Sequence, residues 1–178
     1  DGAAVAVTVD CGITAHEPLG AAKEAGLDVV VVDHHVGEPA LPPAVAVVNP
    51  NRLDETSPHR QLAAVGVAFL LVVALNRALR EAGWYSDQRP EPDLKQWLDL
   101  VALGTVADVV PLDRNNRILV AQGLARIRQG KMQPGLRALF RVAGRESERA
   151  STFDLGFALG PRLNAAVRLA DMSLGIEC

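Results

Sequence analysis

Four consecutive valines, Val29–Val32, run directly into Asp33-His34-His35. An unbroken β-branched run reads as a strand covered on both faces, the habit of a parallel sheet lying under helices. Titratable side chains immediately after such a strand sit at its carboxyl end, where open α/β sheets place their ligands. The rest of the chain is constrained by what else reaches that edge.

Val5–Val9 (VAVTV) reads as a first buried strand, closed by Asp10-Cys11-Gly12. Glu17–Ala25 has helical composition, with Gly26 as its stop. Strand, helix and strand make a βαβ unit, so the two strands run parallel through a right-handed crossover. Parallel pairing brings Asp10 and the Asp33-His34-His35 triplet to the same edge. Alone, Asp10 reads either as a cap closing the turn with Gly12 or as a metal carboxylate. Its company favours the second reading, because three titratable groups in a row at a sheet edge are hard to bury without a cation. Successive side chains of an extended segment point to opposite sides. One of His34 and His35 is therefore expected to bind an ion while the other faces substrate or packs beneath. Carboxylate and imidazole without thiolate suit Mn²⁺ or Mg²⁺ better than Ca²⁺, with zinc hydrolase chemistry as the alternative.

Further along, Gly37–Pro43 carries three prolines and reads as a loop, and Val45–Val48 as a third short strand ended by Asn49-Pro50-Asn51. Arg52–Arg60 has no period and reads as surface loop. Ala63–Ala82 is a long apolar helix stopped at Gly83, and Trp84–Pro92 a connector. Leu94, Trp97, Leu98, Val101 and Ala102 keep helical spacing. They lead into Gly104-Thr105-Val106-Ala107-Asp108-Val109-Val110-Pro111, where Pro111 forces a turn near Asp108. The apolar neighbours of Asp108 predict a buried or half-buried, paired acid. Asn116–Gln129 and Pro134–Val142 are further helices, Ser151 or Thr152 can cap another, and Pro161–Leu169 continues in helix. The expected fold is α/β, a parallel sheet covered by helices followed by an all-helical portion. A composition shift near Gly144–Ala150 divides residues 1–143 from a helical segment over 144–178.

Composition adds limits. Of 178 residues 49% are apolar and 4% aromatic, so the core is built of Ala, Val and Leu. The formal net charge of -3 excludes a generally basic nucleic-acid surface, though not a local arginine cluster. Cys11 and Cys178 form no CxxC pair, which argues against a disulfide framework and fits a reduced, cytoplasmic setting. Cys11 is expected as a small core residue, and His16 and His59 as surface residues. No signal peptide or bilayer-length apolar run is present. The start without Met and the stop just after a helical pattern suggest a fragment.

Thr8-Val9-Asp10-Cys11-Gly12, Asp33-His34-His35, Val48-Asn49-Pro50-Asn51, Gly66-Val67-Ala68-Phe69 and Ala102–Leu112 together resemble the successive motifs of the DHH phosphoesterases. Gly160-Pro161-Arg162-Leu163-Asn164-Ala165-Ala166-Val167-Arg168-Leu169 is similar to a stretch of the RecJ-type single-strand exonucleases within that superfamily. The resemblance implies that the carboxylate at Asp10 bridges two divalent metals, Mn²⁺ or Mg²⁺, and that His34 and Asp108 complete the ligands of one of them. His35 would lie near the scissile phosphate. Arg162, Asn164 and Arg168 would face the substrate cleft, the arginines holding phosphate by forked hydrogen bonds. The implied reaction is phosphodiester hydrolysis of single-stranded DNA, 5′→3′, releasing mononucleotides in repair and recombination. Single-strand-binding protein and a helicase are the implied partners of the intact enzyme, with no membrane.

Two features depart from the pattern. The family's Asp-x-Asp, which binds the second metal, has no counterpart before Thr8, so weak activity or none is expected of this chain. Val167 stands where the family has Gly, and Ala170 where Asp is frequent. Two other functions remain open: a DHH phosphodiesterase of short oligonucleotides or cyclic dinucleotides, and a non-catalytic DHH scaffold.

Overall fold

The computed structural model describes residues 2–169, with side chains over residues 2–165. It contains two compact units, meeting in sequence at Tyr85 and Ser86. The first holds a three-stranded parallel sheet of β1 (Val5–Val9), β2 (Asp28–Val32) and β3 (Ala46–Val48), ordered β1-β2-β3. Val9 lies beside Val32, and Val32 beside Val48. The three strands therefore end flush. The residues that follow them, Asp10, Asp33 and Asn49, leave the sheet at one edge. Two further ladder bonds, Asp10 N–H to the Val32 carbonyl (2.9 Å) and Asp33 N–H to the Val48 carbonyl (3.1 Å), hold that edge in line.

Helix α1 (His16–Glu24) forms the crossover between β1 and β2. Its Leu19 and Ala22 pack with Ala6, Val29 and Val31, burying one face of the sheet. The helix ends at Gly26, whose φ of 75° is the left-handed conformation that a glycine adopts at little cost. Helix α2 (Ala64–Glu81) meets β1 and β2, and its first turns bury Ala64 and Val67. The central strand is covered as the sequence predicts, with Val31 and Val32 fully buried. The first strand is not. Val5, Val7 and Val9 are 56%, 56% and 48% exposed, because β1 is an edge and alternation turns these three to one open face.

The second unit is helical. A 3₁₀ turn (Leu94–Trp97) leads into α3 (Leu98–Ala107), followed by α4 (Arg114–Arg128) and α5 (Pro134–Val142). A π-helical segment (Asp154–Leu159) then passes into α6 (Gly160–Leu169). Ala102, Val120, Leu124, Ile127, Leu136, Phe140, Leu155 and Leu159 form its core. Gly123 lets α4 approach α3: a Cβ there would come within 2.2 Å of the Leu98 carbonyl oxygen and 2.4 Å of Ala102 Cβ. Two buried carboxylates tie helix ends. Asp99 accepts from the backbone of Gln133, the residue preceding α5, at 2.6 Å. Asp154 accepts from Ser151 N–H, Ser151 Oγ and Arg145 Nε at 2.8, 2.7 and 2.5 Å. Among the described residues no helix is long and apolar enough to cross a membrane. The architecture is α/β, a parallel sheet with helices followed by an all-helical portion.

Candidate metal centre

The turn after β1 sets Asp10, the first candidate ligand. Gly12 has φ 115°, and a Cβ on it would lie 2.9 Å from Thr8 Oγ1 and 3.1 Å from Val31 Cγ1. Only glycine fits. Thr8 Oγ1 also donates to the Cys11 carbonyl at 3.0 Å, tightening the turn. Asp10 takes φ 66°, in the left-handed region that Asp tolerates better than most residues. Its carboxylate is 58% exposed. Cys11 is exposed as well, a correction to its expected core position, since the left-handed Asp10 turns the following residue out of the sheet.

Asp33 is the anchor of the second strand's end. It is 1% exposed and accepts four hydrogen bonds: from Ile13 N–H (3.0 Å), His34 N–H (2.8 Å), His35 N–H (3.2 Å) and His35 Nδ1 (2.7 Å). Burial pushes its carboxyl upward, but the His35 ring and the three backbone donors outweigh that and hold it below the usual carboxylate range. The buried acid is therefore satisfied by the protein itself, and the sequence argument that this residue requires a cation is corrected. With Nδ1 donating to Asp33, the neutral His35 ring carries its lone pair on Nε2, the tautomer that suits a ligand or phosphate-facing group.

Asp33 also bends the chain. Because one carboxylate oxygen takes the N–H of both histidines, the segment is not extended, and the two rings do not point to opposite sides. Their centroids are 4.5 Å apart at 60°. His34 Nε2 lies 3.2 Å from Asp10 Oδ1, with the His34 side chain 13% exposed. One donor atom from each of Asp10, His34 and His35 falls within 4.8 Å of the others. Ligands about 2.1 Å from one ion are at most about 4.2 Å apart. A few tenths of an ångström of side-chain rotation would bring the three onto one cation, and the O,N donor set fits Mn²⁺ or Mg²⁺.

Two residues that sequence reasoning did not assign to the site complete the edge. Asn49, 4% exposed, donates from Nδ2 to the His35 carbonyl (2.9 Å) and accepts from Asn51 N–H (2.7 Å). Asn51 donates from Nδ2 to the His34 carbonyl (2.6 Å) and the Arg60 carbonyl (3.0 Å). The signal was present: Asn49 follows a strand parallel to β2 and so ends at the same edge.

The remaining predicted site residues lie in the second unit. Asp108 follows α3 as its C-terminal cap and is exposed, not buried. Val109 beside it has φ 60° and is 85% exposed, so its apolar neighbour turns outward with it. Arg162 and Asn164 are exposed on α6, and Arg162 Nη1 donates to the Ala158 carbonyl at 2.6 Å. The side chains of Val167 and Arg168 lie outside the described residues, as do Ala170 and Cys178.

Comparison with known proteins adds to this geometry. Residues 4–105 match the DHH family, N-terminal domain. The sequence is 56% identical to the single-stranded-DNA-specific exonuclease RecJ of Dickeya dadantii, over 99% of this chain and 31% of that protein. A crystal structure of exonuclease RecJ bound to manganese resembles 97% of this chain, over 40% of its own, with TM-score 0.78 and 38% identity. A crystal structure of RecJ in complex with Mg²⁺ from Thermus thermophilus resembles 98% of it, over 22% of its own, with TM-score 0.64 and 32% identity. This chain thus spans about a third of the length of that curated relative. Because the matched segment takes in all three strands, the Asp10 turn and the Asp33-His34-His35 bend, and extends over more than half of the residues, the chain belongs to the DHH family.

Proposed function

We propose that this chain carries part of the active site of a metal-dependent exonuclease acting on single-stranded DNA in the 5′→3′ direction and releasing mononucleotides. The observation that carries this reading is the convergence of Asp10, His34 and His35 at the flush end of a parallel sheet. The names of the relatives supply the substrate class, and their Mn²⁺ and Mg²⁺ complexes the class of ion. Asp10 and His34 would hold the ion, with Asp108 as a further carboxylate on the family resemblance alone. When bound, such an ion lowers the pKa of an attacking water and neutralises charge on the phosphate. His35, with its tautomer fixed by Asp33, is the group that would meet the scissile phosphate. Arg162, Asn164 and Arg168 would bind the strand. This chain spans about a third of the length of the RecJ of Dickeya dadantii, so the activity is proposed of the whole enzyme.

The test combines calorimetric titration with Mn²⁺ and digestion of single strands labelled at either end. Asp10→Asn should weaken Mn²⁺ binding by more than the roughly 10–100-fold typical of losing only a ligand's hydrogen-bond partner. Any turnover should release the 5′ label first. Mn²⁺ binding indifferent to Asp10→Asn would end the metal assignment, and 3′-first release would end the polarity.

A further inference from the structure

We propose that Asn51 is a positioning residue for the histidine pair, holding His34 through its main-chain carbonyl, with Asn49 holding His35 in the same way. The inference deepens the metal-site reading and rests on it for its catalytic meaning.

His34 and His35 lie past the end of β2, where no ladder satisfies their backbone. Each still carries a main-chain donor and a main-chain acceptor that need partners. Asp33 Oδ1 takes both N–H groups, at 2.8 and 3.2 Å. Asn51 Nδ2 takes the His34 carbonyl at 2.6 Å, and Asn49 Nδ2 the His35 carbonyl at 2.9 Å. Side chains of three residues thus fix four main-chain groups. The Asn49 carboxamide is also tied to the Asn51 main chain, since its Oδ1 accepts from Asn51 N–H at 2.7 Å.

The chemistry at Asn51 is specific. Its Nδ2 sits between two carbonyl oxygens, those of His34 and Arg60. Only a group with two donors on one atom suits that place. A carboxylate has the same shape but presents lone pairs to both carbonyls. The backbone of His34 would then swing away, carrying its ring from the 3.2 Å approach to Asp10. Outer hydrogen-bond partners of a metal ligand orient it, and their loss typically lowers affinity or activity about 10–100-fold. Asn49 is buried and its replacement threatens the fold, so Asn51, at the half-buried end of the pair, is the position to vary.

The experiment compares this chain with Asn51→Asp, Asn51→Ala and Asp10→Asn. Imidazole ¹⁵N–¹H spectra are recorded without metal, Mn²⁺ is titrated calorimetrically, and circular dichroism follows folding. Asn51→Asp should shift or broaden the His34 and His35 ring signals while those of His16 stay in place, and should weaken Mn²⁺ binding roughly 10-fold or more. Asn51→Ala, which loses the donors without adding repulsion, should fall between that variant and the parent, and it carries the same readouts if Asn51→Asp does not fold. Ring signals and Mn²⁺ affinity that Asn51→Asp leaves within about twofold of the parent would overturn the inference, even where Asp10→Asn abolishes binding and so upholds the metal reading. Conversely, a parent that takes no Mn²⁺ while Asn51→Asp still displaces the rings would sink the metal reading and leave the positioning role standing.

Discussion

Gly12 illustrates how single residues at this edge are constrained from both sides. Its backbone is in a region that L side chains rarely adopt, and its missing Cβ leaves room for Thr8 Oγ1 and Val31. Strain in a non-glycine residue at positive φ and overpacking against a covered strand each cost about 1–3 kcal/mol. Gly12→Ala should therefore destabilise the chain by about 3 kcal/mol in urea unfolding; a loss below about 1 kcal/mol would show that the turn yields easily. The pairing of Asp10 with His34 was legible in the sequence because βαβ handedness and parallel register need only strand positions. The closeness of His34 and His35 was not, since it depends on Asp33 bending the chain with its own side chain. Asp108 and Cys11 share one feature that the residue pattern does not reveal: each stands beside a residue in the left-handed region, Val109 and Asp10, and lies exposed where a covered position was expected.

Among the elements, the junction leading into the π-helical segment is held by a carboxylate, and this gives the second unit a pH response. Burial raises the Asp154 carboxyl, but Ser151 and Arg145 more than reverse the effect and hold it below its usual range. Unfolded, the same group titrates near about 3.9. Its contribution is present above that value and is lost as pH falls through the lower folded value. Asp33 shifts the same way and adds to the trend. Stability should decline as pH falls below about 4, and Asp154→Asn should make that decline shallower while lowering stability at neutral pH. Urea midpoints between pH 2 and 7 measure both effects; an unchanged slope would remove Asp154 from the account. Element positions were largely legible: α5 occupies Pro134–Val142 as the spacing predicts. The π-helical turns were not, because nothing in the residue pattern distinguishes their hydrogen bonding from that of an α-helix.

For the molecule as a whole, the charge of -3 means that any attraction to a DNA strand would have to be local. Arg162 is exposed on α6 and is the described candidate for a phosphate contact. If it makes one, Arg162→Ala should weaken binding to a single strand several-fold and reduce the salt slope of log K by about 0.7. A slope that does not change would place the strand elsewhere. The left-handed backbone at Asp10 has a consequence for lineages built on this fold. Glycine is at ease there, so Asp10→Gly should leave the unfolding midpoint in chelator unchanged or higher while abolishing Mn²⁺ uptake, as thermal denaturation with and without the ion would reveal. Selection for sturdiness alone would never defend that carboxylate. If Asp10 is a metal ligand, one codon change there would leave a durable chain that no longer takes up the ion.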